Sequence, residues 1–273
     1  MADLLNELFC PMKLTGIAAS LTDALGVDAP KQAESALEIM KKFTHGKNID
    51  RVLMYNPDAV GLWLFGKYTD IFEPVMLNTQ LALPLETVMP SVTPVCFATM
   101  YTGVQPEVHG IRKYEKPVLT IETIFDVLVA AGKKVAIITA EPCSISRIFL
   151  EREVDYYHFE EGTLADVNAK AAEVILRDEH DFIVIYNGNY DSVMHKMGPE
   201  SANALSELRA NDQAFSVFAS LIKEHWKNHN TLLGFAMDHG CHEIDGDCGS
   251  HGLDMPEDIN IVHLYKGYKR ESL

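Results

Sequence analysis

The sequence predicts an α/β protein whose mostly parallel central sheet is covered by helices on both faces. Two observations lead to this fold class: short apolar runs alternate with stretches of helical spacing, and no internal repeat or Pro/Gly-rich linker interrupts them. A strand that is apolar along its whole length is buried on both faces, as in a parallel sheet between helices. The 273 residues are enough for a large core, so we expect a single domain over 1–273.

The predicted elements follow one another along the chain. Residues 1–48 are expected to form a mainly helical lead-in, in which the stretch 31–43 repeats apolar residues at helical spacing. The residues that share this face are Ala33, Ala36, Leu37, Met40 and Phe43. Five apolar runs are strand candidates: "RVLMYN", "KKVAIITA", "DFIVIYN", "TLLGFAM" and "INIVHLY". Two stretches predict helices: "IETIFDVLVAAG", which Gly132 ends, and "ESANALSELRANDQAFSVFASLIKEHW".

Composition and charge exclude several classes of partner. The net charge is −16 and no block of basic residues exists, which argues against a nucleic-acid polymer. No apolar run approaches the roughly 18 residues needed to span a bilayer, and the acidic start "MADLLNELFCPMKL" does not resemble a signal peptide. An odd number of scattered cysteines does not indicate a disulfide framework. These are Cys10, Cys96, Cys143, Cys241 and Cys248. We therefore expect a reduced, cytoplasmic protein.

Carboxylates and imidazoles follow three of the predicted strands. Asp58 comes after "RVLMYN", Asp191 and His195 come after "DFIVIYN", and the pair Asp238–His239 comes after "TLLGFAM". Taken singly, an Asp after a strand is usually a turn or N-cap residue, and a lone loop His is usually solvated. The carboxyl ends of parallel strands, however, meet at one sheet edge, where ligands bind. Asp and His together suit a divalent ion such as zinc or manganese, so the sequence predicts a metal site there.

Other stretches that resemble known motifs do not fit them. Residues 61–68, "GLWLFGKY", have the spacing of a phosphate-binding P-loop, but Tyr68 replaces the Ser or Thr and the interior is bulky. We interpret this stretch as the start of an apolar helix. The stretch "DGDCGSHGLDMP" resembles a calcium loop, yet Pro256 occupies the position of its bidentate carboxylate. Cys241 and Cys248 stand outside any C-x-x-C pair, which favours free thiols over zinc ligands.

The stretch "MPSVTPVCFATMYTGVQPEVHGIRKY", residues 89–114, resembles the alkaline phosphatase superfamily, in particular its type I phosphodiesterase/nucleotide pyrophosphatase branch. Thr93 holds the place of the nucleophile, and "TGVQPEVHGI" follows at the distance seen in that branch. Four further motifs occur in the family's order: "YNPDAVG", "DSVMHKMGP", "MDHG" and "GSHG", the last carrying His251. The resemblance implies an alkaline phosphatase-like core, with the catalytic core over 49–265.

The resemblance also implies two divalent metal ions, with zinc favoured over manganese. One ion would be bound by Asp191, His195 and His251. The second would be bound by Asp58, Asp238, His239 and the Thr93 oxygen. The implied reaction is hydrolysis of a small phosphate mono- or diester, in which Thr93 attacks phosphorus to form a phospho-threonine that water then hydrolyses. Alternatives on the same core are a phosphonate hydrolase, a phosphate-transferring mutase, or a non-catalytic metal-binding or regulatory relative.

Some positions depart from the family pattern or lie outside it. Cys96 stands where relatives place an Asn that contacts a phosphoryl oxygen, so it is either a substrate contact or a packing residue of the "VCFATM" helix. Asn56 is the nearest competitor of Asp58 as a ligand. Candidate contacts for an anionic substrate, each with a solvated surface charge as the alternative, are Arg112, Lys113 and Arg147.

Overall fold

The computed structural model describes residues 12–45, 49–160 and 162–271. Cys10 and the rest of the first eleven residues, part of the expected helical lead-in, lie outside the described residues. The strands are β1 Met12–Lys13, β2 Arg51–Pro57, β3 Leu81–Glu86, β4 Val135–Glu141, β5 Asp155–Glu160, β6 Phe182–Asn187, β7 Thr231–Ala236, β8 His242–Ile244, β9 Cys248–Ser250 and β10 Asn260–Tyr268.

Helices connect most of these strands. They are α1 Gly16–Ala24, α2 Glu38–Phe43, α3 Leu62–Lys67, α4 Glu73–Leu77, α5 Thr93–Thr102, α6 Pro106–His109, α7 Ile124–Ala130, α8 Ser144–Ile148, α9 Leu164–Arg177, α10 Asn189–Met197, α11 Ala202–His225 and α12 Pro256–Ile259. Within the ranges that the structure describes, no helix combines the length and the apolar character that crossing a membrane requires.

Eight strands form one sheet in the order β1-β3-β10-β7-β2-β6-β4-β5. The pairings from β7 through β2, β6 and β4 to β5 are all parallel, whereas β10 runs antiparallel to both β3 and β7. The predicted mostly parallel sheet is therefore confirmed, and all five strand candidates are strands. The last candidate is antiparallel because the connection from β7, which contains β8, β9 and α12, returns to the same edge of the sheet before β10 begins.

Helices cover the sheet on its two faces. Tyr55 of β2 donates its hydroxyl to Asn211 of α11, while its neighbour Asn56 accepts from Tyr101 of α5. Successive residues of a strand point to opposite faces, so α5 and α11 lie on opposite sides of the sheet. The helices α1, α7 and α8 pack with α5, whereas α4, α9 and α10 pack with α11. Every residue of β6 and β7 is buried between these two layers, which explains their continuous apolar sequences.

One local prediction differs from the structure and another is confirmed. The helix expected over 31–43 begins only at Glu38. The backbone before it is not helical because its N–H groups are bonded elsewhere: Glu34 N–H donates to the Gly103 carbonyl, and Leu37 N–H donates to the Ser20 hydroxyl. The apolar face predicted there is accordingly not formed as one helix. By contrast, 61–68 does contain the expected apolar helix, α3, which starts after Gly61.

The sheet order places three carboxyl ends side by side. The central strands β7, β2 and β6 are adjacent and parallel, so the residues that follow them emerge at the same edge. These residues are Asp58 after β2, Asp191 after β6 and Asp238 after β7. The segment that joins β7 to β10 stays at this edge and carries His251.

Candidate metal centre and active site

The first group of metal-capable side chains is fully buried at the ends of β2 and β7. Asp58, Asp238 and His239 offer ligand atoms that all lie within 4.8 Å of one another. His239 Nε2 is 3.3 Å from Asp58 Oδ1 and 3.3 Å from Asp238 Oδ2. Asp238 Oδ1 also accepts the Ala59 N–H at 3.2 Å, which joins the two strand ends. We call these three residues the buried set.

Thr93 is the first residue of α5 and reaches the buried set with its hydroxyl. Its Oγ1 lies 3.3 Å from Asp58 Oδ2 and 3.3 Å from His239 Nε2. The residue before it, Val92, has extended backbone, so the helix starts sharply at Thr93 and Pro94 occupies its first turn. A helix N-terminus carries partial positive charge, which favours an anion beside Thr93.

The second group lies beside the first and is more open to solvent. Asp191 and His195 stand one turn apart on α10, and His251 joins them from the segment after β9. Asp191 Oδ1 is 3.2 Å from His195 Nε2 and 3.3 Å from His251 Nε2. The rings of His239 and His251 are 4.2 Å apart between centroids, so the two groups are neighbours. We call Asp191, His195 and His251 the open set.

All three histidines turn the same ring atom toward the ligand positions. The Nδ1 atoms of His195, His239 and His251 lie 3.0, 2.9 and 3.2 Å from backbone carbonyl oxygens. The carbonyls belong to Gly249, Gly240 and Ser91, in the same order. A carbonyl only accepts, so Nδ1 carries the proton and Nε2 keeps a lone pair in the neutral ring. This arrangement orients imidazoles as metal ligands.

The pKa values of the buried set are shifted by burial and by neighbouring carboxylates, which disfavour the ionised forms of Asp58 and Asp238. Burial, together with the charge of Asp191, raises the pKa of Asp58 to about 7. Burial and then Asp58 raise the pKa of Asp238 well above its usual range. Burial, with His251 nearby, lowers the pKa of His239 to about 3, so its ring is neutral at physiological pH. The buried set thus holds ionisable carboxylates without a compensating cation of its own.

In the open set the carboxylate and the imidazoles stabilise each other's charge. The Asp191 carboxylate beside it raises the pKa of His195 to about 9. Burial opposes ionisation of Asp191, but His195 and His251 outweigh it and hold the pKa of Asp191 below its usual range. A proton on His195 therefore occupies the position at which a bound cation would act.

The residues present fit divalent ions. Asp191 Oδ1 and Asp238 Oδ2 are buried and receive no hydrogen bond of adequate geometry, although imidazole nitrogens lie close to both. Buried polar atoms without a partner are costly, and a cation between each oxygen and the facing Nε2 atoms would satisfy them. Imidazole and carboxylate ligands suit zinc and manganese.

A cavity of about 380 Å³ opens beside these residues. Asp58, Thr93 and Asp191 form part of its wall. The rest of the wall comes from the loop after α6, the end of β4 with the start of α8, the start of α9, and β6 with α10. Tyr114, Lys116, Glu141 and Tyr186 are among the side chains of this wall.

The structure brings together the seven predicted ligand positions. Asn56 is not among them, because it is buried and its amide donates to the Ala236 carbonyl at 2.7 Å. Of the two strand-end candidates it is therefore Asp58 that faces the other ligand-type side chains.

The four predicted substrate contacts are not among the residues that line this cavity, and their role in binding stays a prediction. Cys96 is fully buried, and its sulfur lies 3.2 Å from the Thr87 hydroxyl inside the core. Arg112 and Arg147 are exposed, and the Arg112 guanidinium donates to the Glu107 carbonyl. Lys113 is exposed and pairs with Glu115 at 3.4 Å. The Cys96 sulfur packs beside Thr87 in the core, and in the loop after α6 it is Lys116 that lines the cavity.

Three residues near the site were not singled out from the sequence. Tyr186, the penultimate residue of β6, donates its hydroxyl to Asp58. Asp258 accepts from His242 and from the Leu253 N–H, and so ties down the segment that carries His251. Lys116 lines the cavity. The only sequence signal for Tyr186 was its place near the end of a buried strand, and the only signal for Asp258 was the acidic stretch "DMPED".

Comparison with known proteins places this geometry in a family. The profile of the type I phosphodiesterase/nucleotide pyrophosphatase family matches residues 75–267, more than half of the chain. No curated protein sequence matches the chain at a significant level. Among solved structures, human ectonucleotide pyrophosphatase/phosphodiesterase 5 is similar, with 16% identity, a TM-score of 0.58, and coverage of 71% of this chain and 58% of that one.

Two further structures have the same fold. An inactive form of the murine ectonucleotide pyrophosphatase/phosphodiesterase 5 in complex with AMP has 18% identity and a TM-score of 0.58, covering 72% of this chain and 59% of that one. Phosphonoacetate hydrolase from Sinorhizobium meliloti in complex with phosphonoformate has 16% identity and a TM-score of 0.56, covering 74% and 59%. The chain thus spans less than two thirds of the length of each structure.

The family profile covers the stretch from α4 to β10, which includes Thr93, the open set, Asp238 and His239. The solved structures share the alkaline phosphatase-like core at low identity, which agrees with the sheet described above. The chain therefore belongs to the type I phosphodiesterase/nucleotide pyrophosphatase family.

Proposed function

We propose that this chain is a two-metal phosphoesterase that hydrolyses a small phosphate ester through a phospho-threonine intermediate. One observation carries the proposal. The Thr93 hydroxyl opens α5 at the wall of a cavity and lies 3.3 Å from both Asp58 Oδ2 and His239 Nε2. A nucleophilic oxygen, ligand-type side chains and the positive end of a helix thus meet at a place that a small molecule can enter.

Two ions would be held by separate groups of residues. The open set would hold one ion, and the buried set together with Thr93 Oγ1 would hold the other. Zinc is favoured over manganese because three imidazole Nε2 atoms face the two positions. Such ions, when bound, lower the pKa of a coordinated hydroxyl and offset the negative charge of phosphoryl oxygens.

The residues of the chain position the reactants. Thr93 Oγ1 attacks phosphorus, a new O–P bond forms, and the bond to the leaving oxygen breaks; the electron pair of that bond goes to the leaving oxygen, which also takes up the proton that the Thr93 hydroxyl loses. Water then attacks the phosphorus of the phospho-threonine, which releases phosphate from a monoester or a phosphate monoester from a diester and returns a proton to Thr93 Oγ1. The N-terminus of α5 favours the phosphoryl anion in both steps. Tyr186 holds Asp58 in place through its hydroxyl.

The cavity supports a small substrate. Its volume of about 380 Å³ is near the lower end of the range usual for ligand pockets. Cys96 is buried away from it, so no side chain at that position distinguishes diesters from monoesters. We therefore propose turnover of monoesters at least equal to that of diesters.

The test is a comparison of Thr93→Ala, Thr93→Ser and the control Thr102→Ala on an aryl phosphomonoester, an aryl phosphodiester and an arylphosphonate ester. Thr102 lies on the same helix, but its hydroxyl donates to the Ala98 carbonyl away from the site. Thr93→Ala should lower kcat at least a hundredfold, or about 3 kcal/mol of barrier, while Thr93→Ser and Thr102→Ala keep measurable turnover.

Mass spectrometry of acid-quenched wild-type enzyme should show phosphate on the peptide that carries Thr93. Turnover of Thr93→Ala above a hundredth of the wild-type rate would rule out the covalent route. Transfer of the phosphoryl group to an alcohol in place of water would identify a mutase on the same site. Catalysis of phosphonate substrates alone would identify a phosphonate hydrolase.

A further inference from the structure

The cavity holds one lysine that the proposed reaction does not use. Lys116 belongs to the loop after α6 and lines the same cavity as Asp58, Thr93 and Asp191. Among the ion pairs of the described residues, Lys116 pairs with neither of those two carboxylates. A ligand that fills the cavity from Thr93 outward would contact the two sets at one end and Lys116 at the other.

Lys116 is the only lysine or arginine among the residues that line this cavity. Six lysines elsewhere in the described chain make ion pairs with carboxylates. These are Lys41, Lys67, Lys113, Lys133, Lys134 and Lys170. In the part of the chain that the structure describes, Lys116 has no such partner, and its Nζ lies 5.1 Å from the centroid of the Tyr114 ring. Stacking on an aromatic face orients the ammonium and leaves its hydrogen-bond donors available.

The other charged side chain on this part of the wall is already partnered. Glu141, at the end of β4, accepts from His158 Nδ1 at 2.8 Å. The remaining polar side chains around it, such as Ser144, Asn187 and Ser192, are neutral. Beyond the two metal-capable sets, Lys116 is therefore the one cationic side chain that the lining residues offer to a ligand.

We propose that Lys116 is a specificity-determining residue that binds a second anionic group, a carboxylate or a second phosphate, on the leaving-group side of the substrate. This inference rests on the proposed function, because the first phosphoryl group is taken to bind at Thr93 and the two sets. It replaces Arg112, Lys113 and Arg147, which the structure places outside the cavity. The substrate class is thus a small phosphate ester that is anionic at both ends.

The test measures binding, so it does not depend on which ester is turned over. Calorimetry on zinc-loaded full-length protein compares phenylphosphonate with 3- and 4-carboxyphenylphosphonate and with 1,4-phenylenediphosphonate. In the wild type, at least one doubly anionic compound should bind about ten- to a hundredfold more tightly than phenylphosphonate. The carboxylate and phosphonate arms show which second anion is preferred.

Lys116→Gln should remove this gain and leave phenylphosphonate binding within about threefold, while Lys116→Arg should restore most of it. Lys223→Gln, an exposed lysine near the end of α11, is the matched control and should keep the gain. Equal loss for all four compounds in Lys116→Gln would mean that Lys116 binds the first phosphoryl group, and would overturn the assignment. Loss of the gain in Lys113→Gln instead would also overturn it.

The outcomes separate this inference from the proposed function. If phenylphosphonate binds the zinc-loaded wild type but no second anion improves binding, Lys116 has no such role and the phosphoesterase proposal stands. If the zinc-loaded wild type binds none of the four compounds, the site does not accept a phosphoryl group, and both proposals are wrong.

Discussion

The Nε2 atoms of His195 and His251 lie 3.1 Å apart, and the Nδ1 atom of each ring faces a backbone carbonyl. Two neutral imidazoles in this arrangement would point lone pairs at each other beside the Asp191 carboxylate. Either a proton or a metal ion must therefore occupy the space that they share. The same place can be filled in both ways, so proton binding and metal binding compete there.

The first prediction concerns the pH dependence of stability. In metal-free protein Asp191 raises the pKa of His195 from 6.5 to about 9. The contribution of protonated His195 to the free energy of unfolding is therefore complete below pH 6.5 and is lost as the pH rises through 9. Burial raises the pKa of Asp58 to about 7, so the ionisation of Asp58 also lowers stability as the pH rises to about 7. We expect the Tm of EDTA-treated protein to fall between pH 6.5 and 9, and that of zinc-loaded protein to hold or rise.

Melting curves at several pH values, with and without zinc, check this. His195→Gln should flatten the metal-free curve, whereas His225→Gln, an exposed histidine at the end of α11, should leave it unchanged. Elemental analysis of the loaded wild type should give close to two ions per chain. The two-metal centre would be contradicted if the Tm changed with pH in the same way with and without zinc and the protein took up no metal.

The second prediction concerns Tyr186, which donates to Asp58 and packs edge-on against Phe97 with ring centroids 5.4 Å apart. Tyr186→Phe keeps the packing and removes the donor. A hydrogen bond to a carboxylate contributes about 1.5 to 3 kcal/mol to stability, so the Tm should fall, and kcat/KM should fall by up to about ten- to a hundredfold because Asp58 is no longer held. Tyr156→Phe, whose hydroxyl donates to the Phe149 carbonyl, is a control outside the site. Unchanged kcat/KM in Tyr186→Phe would show that Asp58 is held without it.

The fold and the strand-end carboxylates could be predicted because each rests on a local pattern, whereas Thr93 and His251 were indicated only by the family resemblance. Continuous apolar strands specify a covered parallel sheet, and strand-end residues such as Asp58 and Asp238 must then emerge at one edge. The strand "LALPLE" was missed because Pro84 interrupts its pattern, and "DYYHFE" because it is a half-buried edge strand.

Side-chain direction in loops is what the sequence could not supply. Lys113 and Lys116 are three residues apart in one loop, yet one pairs with Glu115 and the other faces the cavity. Their chemistry is the same, and only the backbone path of a loop without regular structure distinguishes them. Asp258 was missed for a related reason, because its partners His242 and Leu253 depend on how a long connection folds back.

The third prediction concerns this connection. Asp258 is buried and accepts from His242 Nδ1 at 2.8 Å and from Leu253 N–H at 2.9 Å, which fixes the segment on both sides of His251. Asp258→Asn keeps the volume but leaves one of these donors without an acceptor, at a cost of about 1 to 3 kcal/mol. We expect weaker zinc binding to the open set, which contains His251, with the buried set less affected.

Zinc titration against a competing chelator should therefore show one weakened and one nearly unchanged site in Asp258→Asn. Asp254→Asn, an exposed carboxylate of the same segment, is the control and should titrate like the wild type. Two wild-type sites in Asp258→Asn, with only a lower Tm, would assign Asp258 to stability alone.

The last prediction concerns Cys96, which has no exposed surface and whose sulfur contacts the Thr87 hydroxyl at 3.2 Å. Cys96→Asn would bury a larger amide with few partners, which costs a few kcal/mol, so the Tm should fall by roughly 5 to 10 °C. Because the side chain points into the core, the ratio of diester to monoester turnover should stay within about twofold of the wild type. Cys96→Ser, which is smaller, should lose less stability and serves as the conservative comparison. A tenfold rise in the diester ratio at unchanged Tm would instead place residue 96 beside the phosphoryl group.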